Sequence, residues 1–544
     1  MQEFDAVTLG IVWDRLVSIA DEVMEALIRA SFSTTVRESH DCSCVIFDAQ
    51  GRLVAQAQSS IPSFTGTSPI TLDHMLRKHP AATLQPGDVM ITNDPWLGTG
   101  HTFDISVIRP VFMETRLVGF VGSISHLPDI GGIGWSTAAT EIYQEGLRIP
   151  IRKLLQSGRL DQDMIDLIAD NVRVSDQVIG DLMANVACTD VGARLLLELM
   201  SEQGMTDLDA IADAIIDKTD AAMRAAIRAM PDGEWSYETR IEGVDGILRM
   251  ACTVTISGDT IHVDYTGTDP AVHRGINVPM CYTRAQTLYT IKCLTIPGIP
   301  NNDGAARAIT ASAPEGCILN ALPPFPTAGR HVPGHSIFPL IMGALAAVVP
   351  DRVQAESGGG TVLNIQGIRN GRPMGQTFFC AGGYGALERF DGHGATPSPS
   401  NLHSMPVEVW ENMTGLLVEY KELLIDSGGA GQARGGLGQR MAMRNMTGHK
   451  LFVSSFSGRM KIGAQGLFGG RAGALRKYWL NDEAVASKTR YELQPNDRLI
   501  TADAGGGGFG DPALRPREKI EYDLRQGFVS PEAAARDYGY KLSN

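Results

Sequence analysis

Two His-x-x-Asp units lie close together within residues 91–132. The first is His101 with Asp104, and the second is His126 with Asp129. Neutral imidazole and carboxylate together suit zinc, manganese or iron(II) better than calcium or magnesium. We therefore predict a site for one divalent metal ion here. The alternative is that the histidines bond to backbone and the aspartates only form turns.

The residues around these units predict a tight β-hairpin. Residues 103–112 and 117–126 are rich in β-branched and aromatic residues, and the polar residues 113–116 between them suit a hairpin loop. Because the first segment begins next to Asp104 and the second ends at His126, the hairpin brings two imidazoles and one or two carboxylates to one sheet edge.

The expected register follows from the loop. If Phe112 faces Leu117, then Asp104 faces Ser125 and is next to His126 on the opposite strand. Opposed residues of an antiparallel pair lie roughly 4.5–5.5 Å apart at Cα, so Asp104 and His126 are predicted near-neighbours.

A second hairpin precedes this one in the chain. The turn at residues 48–51 separates two short strands, and Asp41 opens the first of them. Side chains alternate between faces along a strand, so Asp41 points away from Cys42 and Cys44. The two cysteines are predicted to pack in the core, which leaves Asp41 free to point at a site.

Composition excludes several classes of partner. The net charge of −14 and the pI near 5.4 disfavour nucleic acid and anionic membranes. Eight cysteines without a CxxC pair indicate a reduced, cytoplasmic protein. The acidic N-terminus lacks the basic region of a signal peptide, and the longest apolar run, residues 336–350, is too short to span a bilayer.

Other segments carry local signals. Residues 6–31 have apolar residues at three- and four-residue intervals, which predicts a helix, and residues 335–349 also read as helix. Helical periodicity before residue 231 breaks near Val174 and Gly204. The polar, proline-containing residues 59–69 predict a loop that could wrap over a pocket.

The length of 544 residues implies two to four domains, and the changes of period predict an α+β, multidomain protein. The predicted units are an N-terminal α+β metal-site domain (1–231), a β-meander with helices (232–354), a Gly-rich β domain (355–514) and a C-terminal helical tail (515–544).

Two glycine clusters, residues 469–473 and 505–510, resemble nucleotide-binding loops only formally, and the first lacks the lysine and hydroxyl residues of a phosphate-binding loop. Residues 505–510 contain GxGxxG, but Asp511 and Pro512 follow where a helix should begin. No GxxxxGK[ST] and no GxSxG motif occurs. We therefore predict neither an ATP site of its own nor a serine nucleophile.

Several long motifs together resemble one family. They are ATEIYQEGLRIP (139–150), TNDP (92–95), HLPDIGG (126–132), DSGGAG (426–431), RGGLG (434–438) and the segment 505–512. With these motifs the chain is similar, over nearly its whole length, to the hydantoinase B/oxoprolinase family. That family includes B subunits of N-methylhydantoinases, caprolactamase β subunits, the C-terminal half of 5-oxoprolinases and α subunits of acetone-type carboxylases.

The resemblance implies a division of labour between two chains. An A-type partner binds ATP and phosphorylates the substrate carbonyl oxygen, in a heterotetramer, while the B-type chain holds a metal and completes the reaction. By motif position, the implied ligands are Asp41, His101, Asp104 and His126. The family often has an aromatic or small residue after the Asp41 position, where this chain has Cys42.

Three functions remain open at this point. The first is hydrolysis of a small cyclic amide such as a hydantoin, a lactam or 5-oxoproline, the second is ketone carboxylation, and the third is a metal-free scaffold. For hydrolysis, water needs a base, and we predict Asp129 in that role with Glu145 behind it. The alternative is that Asp129 orients a ligand or caps its turn.

Overall fold

The computed structural model describes residues 5–541. Residues 1–4, most of the acidic N-terminus, and residues 542–544, the end of the predicted tail, lie outside the described residues. The α-helices are α1 (Ala6–Ala30), α2 (Thr34–Arg37), α3 (Pro62–Lys78), α4 (Gln162–Asn171), α5 (Ser175–Glu202), α6 (Asp209–Arg228), α7 (Met280–Thr295), α8 (His331–Gly334), α9 (Ile337–Ala344), α10 (Val407–Thr414), α11 (Arg517–Gln526) and α12 (Pro531–Tyr538).

The strands form four sheets, in the orders β2-β1-β5-β4-β3-β6-β7, β11-β10-β9-β8, β13-β12-β16-β19 and β14-β15-β20-β17-β18. Their bounds are β1 (Cys42–Asp48), β2 (Leu53–Gln56), β3 (Val89–Thr92), β4 (Asp104–Met113), β5 (Arg116–His126), β6 (Arg152–Gln156), β7 (Arg159–Leu160), β8 (Gly233–Glu242), β9 (Ile247–Ser257), β10 (Thr260–Asp264), β11 (Ile309–Ser312), β12 (Gly360–Arg369), β13 (Arg372–Ala381), β14 (Leu416–Leu423), β15 (Gln439–Asn445), β16 (Leu451–Ser455), β17 (Lys477–Leu480), β18 (Glu483–Val485), β19 (Arg490–Leu493) and β20 (Arg498–Ala502).

The seven-stranded N-terminal sheet is packed on both faces. Its first face packs with α1, α5 and α6 in one apolar cluster, and its second face packs with α3 in another. Helix α1 forms where the apolar spacing predicted it, and the Asp5 carboxylate caps it by accepting the N–H groups of Val7 and Thr8. The predicted breaks near Val174 and Gly204 are confirmed as the starts of new helices or turns.

The predicted hairpin is β4–β5, but its predicted register is wrong by one residue. Phe112 does face Leu117, as predicted. A bulge between Val111 and Phe112 then shifts the pairing, so Asp104 lies directly opposite His126. An extra residue in one strand of a pair moves every later partner by one position.

The prediction of a loop at residues 59–69 is wrong, because residues 62–69 form the start of helix α3. Pro62 occupies the first turn, where its missing N–H costs nothing. The hydroxyls of Thr67 and Thr71 donate to carbonyls of their own helix, so these polar side chains have hydrogen-bond partners although they are buried. A Cβ added at Gly66 would lie 2.6 Å from the Cα of Ala285, so glycine allows α3 to pack tightly against α7.

Two further differences concern element bounds. The predicted helix at 335–349 is shorter in the structure, where α9 ends at Ala344 and the next residues form turns. Strands β6 and β7, at the edge of the first sheet, were not predicted. The Ser530 hydroxyl accepts the N–H of Ala533 and so caps the start of α12.

The α+β class is confirmed, while the four domain ranges stay a prediction. One apolar cluster joins Met223 and Ile227 of α6 to the β8–β11 sheet, α7 and α9 across residue 232. Another joins the first sheet to Val362, Phe379 and Phe456. No helix within residues 5–541 is long and apolar enough to cross a bilayer.

The Gly-rich segments pack backbone against backbone. Gly506 donates its N–H to the carbonyl of Gly436, and Gly429 donates to the carbonyl of Gly506. A Cβ added at Gly505 would overlap the carbonyl oxygen of Ser427. The cluster at 505–510 is therefore a packing layer, which explains why it resembles a nucleotide loop only in its residue types.

Candidate metal centre and cavity

His101, Asp104 and His126 meet at one end of the β4–β5 hairpin. Asp104 begins β4, His126 ends β5 as its direct partner, and His101 lies in the turn before β4. One ligand atom from each residue lies within 4.8 Å of the other two, and all three side chains are buried. The hairpin therefore brings together three of the four residues that the two His-x-x-Asp units supply.

The atoms that face each other in this cluster have no other partners. Within residues 5–541, His101 Nε2, Asp104 Oδ1 and both ring nitrogens of His126 lack a hydrogen-bond partner. Nearly all buried polar atoms in folded proteins have one, so such a group of exceptions needs a cause. His101 Nε2 and Asp104 Oδ1 are 2.8 Å apart, and because His101 Nδ1 faces the Ala328 carbonyl, both of these facing atoms present lone pairs that a divalent cation beside them would stabilise.

Protonation states also suit a cation. His101 Nδ1 lies 3.0 Å from the carbonyl oxygen of Ala328 and donates to it, which leaves Nε2 as the free lone pair. Burial lowers the pKa of His126 to about 3, so this imidazole is neutral at pH 7. Although burial opposes it, attraction to His101 and Arg330 holds the pKa of Asp104 below its usual value.

Asp41 reaches the same cavity from the neighbouring strand. It precedes β1, which pairs with β5, and its carbonyl accepts the N–H of His126. Burial, and then the nearby negative charge of Asp104, raise the pKa of Asp41 well above its usual value. A cation would favour the ionised form of such a carboxyl group. Cys42 and Cys44 pack in the apolar cluster on the other face, as predicted.

Arg330 is a site residue that the sequence did not reveal. Its Nη2 lies 2.5 Å from Asp104 Oδ2, and its Nε donates to the carbonyl of Thr99 at 2.6 Å. The guanidinium also stacks over the Tyr282 ring, 4.5 Å from its centroid. Arg330 thus holds one oxygen of Asp104 and leaves the other oxygen directed at His101.

The cluster opens onto a cavity of about 610 Å³. The cavity wall near the cluster is aromatic, since Trp135 packs 4.5 Å from the His126 ring and 4.8 Å from the Phe456 ring, centroid to centroid. Phe64 and Phe379 also line it. A site with a few convergent polar groups in an apolar wall is typical of small-molecule binding.

His331 and His335 also line this cavity and were not singled out from the sequence. Burial lowers the pKa of both, to about 3 for His335, so both rings are neutral near pH 7. Their rings lie 5.8 Å apart, and His331 packs against Trp135. The i, i+4 spacing of two histidines was the available signal, since it places them on one side of a helical turn.

Asp129 lies outside the cluster of His101, Asp104 and His126 and does not face the cavity, where a catalytic base would be expected. Arg173 donates its backbone N–H and its guanidinium to the two Asp129 oxygens at 2.5 and 2.8 Å, and Gly131 donates its N–H as well. Asp129 is absent from the described residues that line the cavity. The geometry favours the alternative, in which Asp129 holds its own turn against the segment before α5.

Glu145 is also set back from the cavity, but it is connected to the cluster. Its two oxygens accept the backbone N–H groups of Thr327 and Ala328 at 3.0 and 2.8 Å. The carbonyl of Ala328 accepts from His101 Nδ1 and from Trp135 Nε1. Burial raises the pKa of Glu145 to about 8, and the two N–H donors oppose that shift. Glu145 is therefore placed to position His101.

We expect Glu145→Gln to weaken metal binding by roughly 10- to 100-fold, the usual cost of changing a residue that orients a ligand. The amide would turn an N–H₂ group toward one backbone N–H, so the Ala328 carbonyl would shift away from His101. Titration with zinc or manganese measures the effect. Glu141→Gln makes the same change at an exposed position and should leave the affinity unaltered. Equal affinity in both variants would contradict the positioning role.

Comparison with known proteins gives three findings. A protein-family model described as hydantoinase B/oxoprolinase matches residues 5–512. The chain is 30% identical to the caprolactamase subunit beta of Pseudomonas jessenii over 99% of this chain and 96% of that protein. It is also 30% identical to an uncharacterized protein of Methanocaldococcus jannaschii, again over 99% and 96%.

Solved structures agree with these matches. The ATP-dependent caprolactamase from Pseudomonas jessenii superimposes with a TM-score of 0.90 at 28% identity, covering 100% of this chain and 97% of that one. A nucleotide-free acetone carboxylase also gives a TM-score of 0.90, at 20% identity, covering 98% of this chain and 80% of that one. The second likeness concerns the fold alone.

Proposed function

Since the chain belongs to the hydantoinase B/oxoprolinase family, we propose that it is the B-type subunit of an ATP-dependent hydrolase of cyclic amides. The observation that carries the proposal is the buried cluster of His101, Asp104 and His126, with unpartnered ligand atoms, at the wall of a largely apolar cavity. The whole-length similarity to a caprolactamase supports an amide as substrate.

In this proposal the energy enters through another chain. An unstrained lactam or hydantoin carbonyl is a poor electrophile, so transfer of a phosphoryl group to its oxygen explains why the reaction would need ATP. The glycine cluster at 505–510 is filled by neighbouring backbone, which leaves no space there for a nucleotide phosphate. An A-type partner that binds ATP, in a heterotetramer, would supply the activated substrate.

The proposed metal ligands are Asp41, His101, Asp104 and His126, and the ion would be zinc, manganese or iron. When bound, such an ion supplies Lewis acidity at the cavity wall. Arg330 fixes the Asp104 carboxylate, and Glu145 orients His101 through the Ala328 carbonyl.

The remaining groups around the cavity have roles in binding and in handling protons. The aromatic wall of Trp135, Phe379 and Phe456 would enclose the carbon ring of the substrate and exclude bulk water. The neutral rings of His331 and His335 each offer one donor and one acceptor to the amide group. We therefore propose His331 and His335, instead of Asp129, as the residues that hold a proton next to the substrate.

The carboxylase alternative rests on the fold, which hydrolase and carboxylase share. A carboxylase would need bicarbonate for product formation, whereas a hydrolase needs only water and the phosphorylated substrate. A metal-free scaffold would not explain why these buried ligand atoms have no hydrogen-bond partner among the described residues. Both alternatives can be tested in the same assay.

We expect the purified chain alone not to bind ATP and to open no ring. With its A-type partner, we expect ring opening that requires ATP and is independent of bicarbonate. Calorimetry measures nucleotide binding, and separate assays follow phosphate release and ring opening of a lactam and a hydantoin. Bicarbonate-dependent product formation would favour the carboxylase, and micromolar ATP binding by this chain alone would refute the division of labour.

A further inference from the structure

We propose that His331 carries a proton to the ring nitrogen of the activated substrate, and that this proton decides which bond of the substrate breaks. The inference rests on the proposed function and deepens it, because it links the cleavage of ATP to the opening of the ring. Its failure would leave ATP-dependent ring opening at the metal cluster standing.

The His331 ring lies among the aromatic rings next to the metal cluster. Its centroid is 5.7 Å from that of Trp135 and 5.6 Å from that of Phe456. The Trp135 ring is in turn 4.5 Å from the His126 ring. The sum of the two distances through Trp135 is therefore the upper limit of the separation between the His126 and His331 imidazoles. Both imidazoles line the cavity.

A cyclic amide is small enough to lie between these two imidazoles. Its oxygen and nitrogen are about 2.3 Å apart, and a hydrogen bond spans about 2.6–3.2 Å more. An amide whose oxygen lies at the metal cluster can therefore place its nitrogen in the space bounded by Trp135, Phe456 and His331. A donor on His331 then lies next to the C–N bond that must break.

Both nitrogens of the His331 ring are available to a ligand. Neither has a hydrogen-bond partner within residues 5–541, and the ring lines the cavity. Burial is the main cause that lowers the pKa of His331, so the ring is neutral before the substrate binds and can accept a proton. The negative phosphoryl group of the activated substrate would then stabilise the protonated ring.

His335 is the other histidine near this end of the cavity, and it is farther from the metal cluster. Its ring centroid is 5.8 Å from that of His331. The charges of His101 and His126 contribute to the lowered pKa of His331, whereas neither of them contributes to that of His335. His331 is therefore the nearer of the two histidines to the reacting amide.

The activated substrate needs a proton at its nitrogen because two bonds compete. Water adds to the former carbonyl carbon, and its proton passes through His331 to the ring nitrogen, which takes up the electron pair of the C=N bond. The same carbon then carries a hydroxyl group, the phosphoryl oxygen and the ring nitrogen. Phosphate is the better leaving group unless the nitrogen receives a further proton.

The two routes give different products. If the hydroxyl proton reaches the nitrogen through His331, the C–N bond breaks and its electron pair stays with the amine. The carbon keeps the phosphoryl group as an acyl phosphate, which a second water hydrolyses to a carboxylate and phosphate. If the nitrogen is not protonated, the C–O bond to phosphate breaks, the hydroxyl proton is lost and the cyclic amide is restored. That route consumes ATP without opening the ring.

The test compares ring opening with phosphate release in the complex with the A-type partner, with a lactam as substrate. His331→Phe keeps an aromatic ring beside Trp135 and Phe456 but cannot carry a proton. We expect the number of rings opened per phosphate released to fall by roughly 10²-fold, the lower end of the contribution of general acid–base catalysis. This ratio is specific, because a structural disturbance lowers both products together.

Water labelled with heavy oxygen identifies the bond that breaks. When phosphate leaves the adduct, the oxygen that came from water stays on the carbon, so lactam recovered from the His331→Phe reaction should carry the label. Mass spectrometry of the recovered lactam measures it. An unlabelled lactam would mean that phosphate was lost by attack on phosphorus, and it would overturn the inference even if the ratio fell.

His449→Phe is the matched control, because His449 is exposed and does not line the cavity. It should leave the ratio unchanged, and His335→Phe should lower the ratio by a smaller factor than His331→Phe. An unchanged ratio in His331→Phe, or an equal or larger effect of His335→Phe, would refute the role of His331. If the unmodified complex opened no ring, the proposed function itself would fail, and this inference with it.

Discussion

In a His126→Ala variant, we expect the bound metal to be lost and ring opening with the A-type partner to fall by roughly 10³-fold, since a Lewis acid contributes several kcal/mol to such a reaction. Neither ring nitrogen of His126 has a hydrogen-bond partner among residues 5–541, so the change breaks no side-chain hydrogen bond seen there. The ring contacts with Phe103, Trp135 and His101 are lost. The variant should therefore still fold and assemble.

Asp104→Ala should also remove the metal, but it is a less clean test. It leaves the buried guanidinium of Arg330 without its carboxylate, which typically costs about 3–5 kcal/mol of stability. His449→Ala, at an exposed histidine, is the control for loss of an imidazole alone. Elemental analysis measures the metal, and the separate assays measure phosphate release and ring opening.

The outcomes of the His126→Ala experiment are distinct. Unchanged metal in both His126→Ala and Asp104→Ala would refute the metal site. Metal loss with unaltered ring opening would refute its hydrolytic role. Loss of ATP cleavage together with ring opening, with assembly and substrate binding intact, would mean that the two subunits do not divide the reaction as proposed.

A Gly505→Ala variant should fold poorly or not at all. The added Cβ would overlap the carbonyl of Ser427, and backbone cannot move aside as a flexible side chain can. Overpacking alone costs about 1–3 kcal/mol, and displacing a hydrogen-bonded layer should add to that, against a typical total stability of about 5–15 kcal/mol. We expect a large drop in melting temperature and in soluble yield.

Gly10→Ala provides a control with the opposite sign. Gly10 lies within α1, and a Cβ there meets nothing within 4 Å. Alanine is a better helix former than glycine by about 1 kcal/mol, so this variant should melt slightly higher than the unmodified chain. If Gly505→Ala melted within a few degrees of Gly10→Ala, the 505–510 segment would not be the tight layer described.

Local patterns predicted that His101, Asp104 and His126 would lie close together, and in the structure they do. The hairpin prediction brought Asp104 next to His126, because two strands joined by a short loop can pair in few ways. Its register was off by one residue because a bulge leaves no signal in residue types. The loop predicted at 59–69 failed because hydroxyl side chains that bond within their own helix look like loop residues in the sequence.

The glycine cluster at 505–510 shows a different limit. Its composition resembles a phosphate-binding loop, and only the absence of a following helix argued against that function. The reason for the glycines is the approach of other backbone segments, such as Ser427 and Gly436, which are distant in the chain. Residue types alone cannot tell a backbone that approaches a ligand from one that approaches another backbone.

By itself, the sequence determined the family, the α+β class and the His101, Asp104 and His126 cluster, because these depend on long motifs, periodicity and one local hairpin. Only the tertiary structure decided the surroundings of that cluster. It brought Arg330 to Asp104 and Glu145 to the Thr327–Ala328 backbone, and it occupied Asp129 with Arg173. These contacts join residues tens to hundreds of positions apart, and no local pattern encodes which distant side chain will neutralise a buried charge.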